Sequence, residues 1–273
     1  MDKHPCSRRV LRLRGNHPEL TRSGPQGYGH GEWGFRAPVR GDPAAVLDSL
    51  FMEPDILYAV RSGERNEPLK LSLRSLAHVP HHRVFIAGYC PQWVTGVTRV
   101  EVRRRVNKFD AIEENVRQGL QHPEMGHDVI YMNDDFYITR PIESIPPTHG
   151  GPIDQYSGKQ HELRIRMRRT LGSLRDRLHE DVTLFAYDGV HTPLPLVRWE
   201  ALRHLESCPR GGLWRTWYGN LAAIGGERVS DAKARGPLGN ELPTLVSTGP
   251  KGLQALRGIL NDMIPQESPY VQA

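Results

Sequence analysis

The stretch Asp128-Val-Ile-Tyr-Met-Asn-Asp-Asp-Phe-Tyr137 constrains this chain more than any other. Val129 to Met132 is a short uninterrupted apolar run, the pattern of a strand buried on both faces, and such strands belong to parallel sheets covered by helices. The run stops at Asn133, Asp134 and Asp135, an amide followed by two adjacent carboxylates. Neighbouring side chains of an extended chain point to opposite faces, but a turn at the strand end lets both acids face one ligand. The carboxyl ends of the strands are where an open α/β sheet keeps its ligand. Two carboxylates there suit a hard divalent cation such as Mg²⁺, which uses one or two protein carboxylates and completes its shell with water and phosphate oxygens. The same three residues are also ordinary turn formers, so from this stretch alone a solvated turn and a metal site both stand open.

The flanking segments extend the α/β pattern. Asp55 to Val60 reads as a strand and is followed by a polar loop, Arg61 to Glu67. Pro68 then opens a helix with Leu69, Leu73 and Leu76 at helical spacing. Arg83 to Ala87 is a second strand, broken by Gly88, and Val97 to Val102 a short third. A helix over Ala111 to Leu120 carries Ile112, Val116 and Leu120 on one stripe, and Asp110, Glu113 and Glu114 near its first turn suit the helix dipole. The order strand, helix, strand, strand, helix, strand predicts an α/β fold with a mostly parallel central sheet flanked by helices. Beyond Asp135, Phe136 to Thr139 continues extended, and the loop holding Pro146, Pro147, His149, Gly150 and Gly151 suits a lid or an acceptor edge. A long helix over Gln160 to Leu178 has Leu163, Met167, Leu171, Leu174 and Leu178 as its core stripe, with arginines on the solvated remainder. Val182 to Tyr187 reads as a strand, Trp199 to Leu205 as a helix, Leu213 to Asn220 as an aromatic segment, Gly225 to Gly239 as irregular, and Leu253 to Leu260 as a final helix.

Hydrophobic residues make up only 38% of the 273, which implies that part of the chain is unpacked. Residues 1–52, rich in Arg, His, Gly and Pro, are expected as a flexible basic arm with one short helix over Pro43 to Phe51. Residues 53–265 are expected as a single domain and 266–273 as a C-terminal tail. The net charge of +5 suits an anionic ligand but is a mild excess, so nucleic acid is not the expected partner. Cys6, Cys90 and Cys208 show no C-x-x-C spacing, which argues against a disulfide framework or a zinc cage and fits a reducing cytoplasm. No window approaches the ~18 apolar residues of a membrane span, and no apolar core of a signal peptide is visible. The glycines form neither a dinucleotide fingerprint nor a P-loop, and the nucleophile elbow of serine hydrolases is absent.

Several further residues are candidates for ligand contact. Lys70 and Arg74 share a helix face that either meets a diphosphate or is simply solvated. Asn107 and Lys108 stand just before a helix, where side chains and free N–H groups reach an anion. His191, followed by Pro193 and Pro195, has the chemistry of a general base, a nucleophile toward phosphorus or a metal ligand, with a structural histidine as the plain alternative. Arg215 has the fork geometry that completes a phosphate site.

Asp55-Ile-Leu-Tyr58, Leu71-Ser-Leu-Arg-Ser75 with Val84-Phe-Ile86, Ala111-Ile-Glu113 with Ile130-Tyr-Met-Asn-Asp-Asp-Phe136 and Arg140-Pro141, His191-x-Pro193, and Asn261-Asp262 resemble, in order, the blocks of the Stealth family. These are sugar-1-phosphate transferases of capsule synthesis and lysosomal-enzyme tagging. The chain is more similar still to glycosyltransferase-like proteins of actinobacterial phages, through its arginine-containing first loop, its N-K-[FW]-D start, its M-N-D-D-F strand end and Tyr218-Gly-Asn220. The resemblance covers about residues 55 to 262. It implies a GT-A-like nucleotide-diphospho-sugar transferase fold, a divalent cofactor (Mg or Mn), a nucleotide-sugar donor, a protein or glycan acceptor, and a bacterial or phage-infected host cytoplasm.

By position, the resemblance makes Asp134 and Asp135 the metal and donor acids, and Arg74 and more loosely Arg215 phosphate contacts; Asn133, Asn107 and Lys108 are expected beside them as donor contacts. His191 becomes a reaction-centre residue and Asp262 a second acid from the C-terminus, so that His191, Asp262 and Asp135 form the catalytic set. The chain departs from the family at three places: Arg61-Ser62-Gly63 replaces an acid followed by glycine, and Asp110 and Leu194 stand where the family has histidines. Those losses touch phosphoryl-transfer chemistry, so metal-dependent glycosyl transfer is the expectation, with sugar-1-phosphate transfer as the alternative. A non-catalytic module binding nucleotide sugar or nucleic acid is the rival from another class.

Overall fold

The chain enters its central sheet at β1 (Asp55–Val60), every residue of which is buried. The computed structural model describes residues 53–61, 66–102, 108–156, 161–178, 182–238 and 241–272. The expected arm over 1–52, with its helix, lies outside these residues, as do Ser62, Gly63, Asn107 and the side chain of Lys108. After β1 come α1 (Glu67–Ser75), with Pro68 in its first turn as expected, β2 (Val84–Gly88), β3 (Thr98–Val100), α2 (Lys108–Gln121) and β4 (Asp128–Met132). The four strands are mutually parallel in the order β3-β2-β1-β4, and β7 (Leu194–Val197) adds an antiparallel edge beside β4. The mostly parallel, helix-flanked sheet is thus present.

Alternation along β1 and β4 sorts the core into two layers, because successive side chains leave a strand on opposite faces. Leu57, Ala59, Val129 and Tyr131 pack with Val116 and Leu120 of α2, and with Ala201, Leu202 and Leu205 of α4 (Arg198–Ser207). Ile56, Tyr58, Ile130 and Met132 face the other way, onto Leu69 and Leu73 of α1. The chain therefore winds outward from β1 in one direction through α1 and returns on its far side through α2. The strand order reverses between β1 and β4, and the carboxyl ends of strands at such a reversal are where an open α/β sheet forms its crevice.

Buried charges pin the opposite end of this sheet. Asp55, 1% exposed, accepts hydrogen bonds from the Gly126 and Arg83 backbone amides and from the Arg83 guanidinium. Arg198 donates to the Leu120, His122 and Met125 carbonyls, closing the C-terminal end of α2, where carbonyls lack intrahelical partners.

The second half differs more from expectation. Val182 to Tyr187, expected as a strand, makes only a bridge from Phe185 to Pro152. Its polar backbone is satisfied otherwise: the Asn220 side chain takes both the N–H and the carbonyl of Phe185, and Gly150 and Gly151 pair with Ala186. The sheet position falls instead to Leu194–Val197, where Pro195 is tolerated because the strand is an edge. The aromatic segment is a helix, α5 (Trp214–Leu221), packed with Leu174 and Met167 of α3 (His161–Arg175). The stretch expected as irregular contains β8 (Glu227–Arg228), paired with β6 (Thr148–His149), and β9 (Lys233–Ala234).

A strand that the sequence pattern does not announce, β10 (Leu245–Thr248), joins β9 to β5 (Phe136–Ile138) in a second sheet, over which α6 (Pro250–Met263) packs. The residues after α6, expected as a tail, are held: the Tyr270 carbonyl accepts the Thr95 amide, its hydroxyl meets His81, and the Gln272 amide donates to the Trp93 carbonyl.

Gly88 ends β2 at φ +101°, and a Cβ there would lie 2.3 Å from the Val60 carbonyl oxygen, which the Asn115 side chain also uses. At Gly258, on the exposed side of α6, an added methyl group would meet nothing within 4 Å. Gly88→Ala should therefore cost about 2–4 kcal/mol through backbone strain and overpacking, while Gly258→Ala should stabilise by about 0.5–1 kcal/mol. Thermal unfolding of the two variants checks both signs.

Candidate active site

The crevice at the β1 and β4 ends is built around a tight turn. The Phe136 N–H donates to the Asn133 carbonyl at 3.3 Å, which makes Asp134 and Asp135 the two central residues of a four-residue turn. Turn and site are therefore one object: the turn lifts both carboxylates clear of the alternation that would separate them. Asn133 is fixed from below, its side-chain oxygen accepting the buried Tyr131 hydroxyl. Ser72 of α1 donates to the Phe136 carbonyl and anchors the far side.

Burial, then repulsion from Asp135, pushes the Asp134 carboxyl up to about 6 against the pull of Arg61 and Lys233. Arg61, the first residue beyond β1, is thus near enough for its charge to act on Asp134. Asp135 is held by an ion pair with Lys233 of β9, Nζ to Oδ2 2.8 Å. The Tyr131 phenol is pushed up by burial, and Arg215, Asp188, Asp134 and Asp135 act on it in that order, so these groups share one neighbourhood.

His191 enters from the loop before β7 with φ +51°, a left-handed conformation that few non-glycine residues adopt without a structural demand. Its Nδ1 meets Asp231 Oδ1 at 2.7 Å. Burial opposes ionisation of Asp231, but hydrogen bonds from His191, the Lys233 amide and Arg235 hold it down to about 2. An ionised carboxylate only accepts, so Nδ1 is the donor of this pair and Nε2 is the ring nitrogen that Asp231 does not engage.

Arg215 is 6% exposed; one Nη donates to the Thr192 carbonyl at 2.7 Å, its Nε has no partner, and burial pulls its pKa down. It braces the His191 loop from beneath. Asp188, in the same loop, accepts the Thr216 amide at 2.9 Å and so caps the first turn of α5 from a distance. Burial raises the Asp188 carboxyl, with Arg215 opposing.

The structure thus gathers Asn133, Asp134, Asp135, His191 and Arg215 on connected elements at one end of the sheet. Arg74 is engaged elsewhere: 6% exposed, it donates to the Ile264 and Pro265 carbonyls beyond the last turn of α6. Asp262 is exposed on that same turn, and among the described residues no hydrogen bond or ion pair ties either residue to Asp134 or Asp135. Lys108 is the first residue of α2. Sequence reasoning missed Asp188, Asp231 and Lys233. Asp231-x-Lys233-x-Arg235 has the alternating charge of a strand facing a polar cleft, the one signal that offered them.

Among the described residues no group of three or more His, Cys, Asp or Glu side chains converges on a metal position. A cation here would take the two turn carboxylates and complete its shell from water and a phosphorylated ligand, which is how Mg²⁺ is commonly held. The crowded, partly desolvated pair fits such a cation, which would relieve its repulsion. A cavity of about 480 Å³ lies at the other end of β4, bordered by Asp128, Val129, Pro195 and Leu196. Its lining includes Glu53, Asp128 and Glu143 but no Lys, Arg or His, which does not suit a diphosphate. No described helix is long and apolar enough to cross a membrane.

No protein-family model matches this chain, and no curated protein matches it. Among solved structures it is similar to the apo form of glycosyltransferase GlyE of Streptococcus pneumoniae TIGR4, at 11% identity and a TM-score of 0.26. That overlap covers 48% of this chain and 40% of that one, so the chain spans less than half of the structure it matches.

Because Asp134 binds its proton more firmly folded than unfolded, its own contribution to stability is fully present below its ordinary value of 3.8, falls as pH rises to about 6, and levels off above. Asp134→Asn removes that fall. The variant should gain on the order of 1–2 kcal/mol over wild type at pH 8 and nothing at pH 3, read from thermal midpoints across pH.

Proposed function

We propose that the chain is a metal-dependent glycosyltransferase that takes a nucleotide-diphospho-sugar donor and modifies a hydroxyl of a protein or glycan. The observation that carries this reading is the Asn133–Phe136 turn, which presents two carboxylates at the point where the sheet order reverses. The residue resemblance to Stealth and phage glycosyltransferase-like proteins supports the same class.

Asp134 and Asp135 would hold the Mg²⁺ or Mn²⁺, which when bound neutralises charge on the donor diphosphate as it leaves. Arg61 and Lys233, whose charges both act on Asp134, would supply positive charge to the phosphate oxygens of the donor. His191 Nε2 is free to take the proton of the acceptor hydroxyl, while Asp231 holds the ring and stabilises the imidazolium that forms. His191 is preferred to Asp262 as base because Asp262 stands exposed at the end of α6. Arg215 acts through the Thr192 carbonyl to keep the histidine loop in place.

Incubation with UDP- and GDP-sugars and Mn²⁺, followed by mass detection of products, tests the reaction. Release of nucleoside diphosphate is expected, and release of nucleoside monophosphate would instead establish sugar-1-phosphate transfer. Asp134→Ala and Asp135→Ala should each lower turnover by at least about a hundredfold. Unchanged turnover in both would remove the metal assignment. His191→Gln should reduce kcat by about 10²–10⁴ with little change in donor KM, whereas a purely structural histidine would alter folding and leave kcat per folded molecule intact.

A further inference from the structure

We propose that Lys233 is the site's own counter-cation, displaced from Asp135 by the divalent metal and then turned onto a phosphate oxygen of the donor. The inference rests on the metal-dependent reading above and assigns a role to a residue that neither the motif pattern nor the family resemblance singles out.

The ion pair is not a surface accident. Lys233 and Asp135 side chains are 23% and 18% exposed, and Nζ donates to Oδ2 at 2.8 Å. The backbone carrying Lys233 is fixed in relation to the turn by strand pairing: Lys233 pairs with Ser247 of β10, and Ser247 with Phe136 of β5, the residue that closes the turn. The Thr248 amide also donates to the Asp135 carbonyl at 3.3 Å. A rigid root with a flexible four-carbon stem lets the ammonium move while the lysine stays at the site. The alternation of this segment adds a second tie, since Asp231, two residues earlier, holds His191.

Charge explains why the pair should open. Two carboxylates crowded in one turn need a positive partner when no metal is bound, and Lys233 meets that need by pairing with Asp135. A divalent cation held by Asp134 and Asp135 would compete with the Lys233 ammonium for the Asp135 carboxylate and repel it. The ammonium would then be available to the negative charge that the diphosphate of a donor brings. Metal binding and donor binding become coupled through one side chain: the lysine opposes the first and favours the second.

Manganese binding followed by electron paramagnetic resonance, without nucleotide, tests the competition directly. Lys233→Met and Lys233→Gln should bind Mn²⁺ roughly five- to tenfold more tightly than wild type, whereas Lys233→Arg should stay within about twofold of it. Calorimetry with UDP at saturating Mn²⁺ should show the reverse order, with Lys233→Met and Lys233→Gln weakened about fivefold or more. Thermal midpoints confirm that each variant is folded. Wild type that binds Mn²⁺ no less tightly than both neutral variants overturns the proposal and leaves the metal site standing. Failure of wild type and all variants to bind Mn²⁺ overturns both.

Discussion

Two carboxylates held side by side in a tight turn are the constraint on which this structure depends. A strand would have sent Asp134 and Asp135 to opposite faces, and solvent would have separated them; the bond from the Phe136 amide to the Asn133 carbonyl prevents both. The repulsion that results is kept in place by the surrounding fold. β4 is buried on both faces, the Tyr131 hydroxyl fixes Asn133, and Ser72 fixes Phe136. The doubly wound order then puts the turn at the carboxyl ends of the strands where the order reverses, the usual ligand position in such sheets.

The rest of the site answers that charge from a distance in sequence. The segment from Asp231 to Arg235 lies far along the chain from the turn, yet Lys233 reaches Asp135 and Asp231 reaches His191. One short segment thus links the carboxylate turn to the histidine loop. That loop is itself braced by Arg215 through Thr192 and by Asp188 through the first turn of α5. His191 keeps a left-handed backbone because these contacts together over-determine it.

Much of this was legible in the sequence, and the division has physical reasons. β1, β2, β4, α1, α2 and α3 follow from apolar runs and stripes whose burial is decided by the segment itself. The turn was legible as a place, in its run of turn-forming residues after the apolar strand. What failed depends on distant partners. Val182 to Tyr187 has the composition of a strand, but Asn220 and the 150–151 backbone take its hydrogen bonds, so no ladder forms. Arg74 looked like a phosphate ligand on a basic helix face, yet its guanidinium closes the end of α6, 190 residues away. Lys233 and Asp231 gave only an alternation of charge, because their partners belong to other elements.

The central claim is that the turn at the β1 and β4 ends binds a divalent cation together with a nucleoside diphosphate. Anomalous diffraction from crystals grown with Mn²⁺ and UDP tests it most directly. One manganese peak is expected within coordination distance of Asp134 and Asp135, with the diphosphate beside it on the side of Lys233. Nucleotide bound elsewhere, with no manganese at the turn, would contradict it.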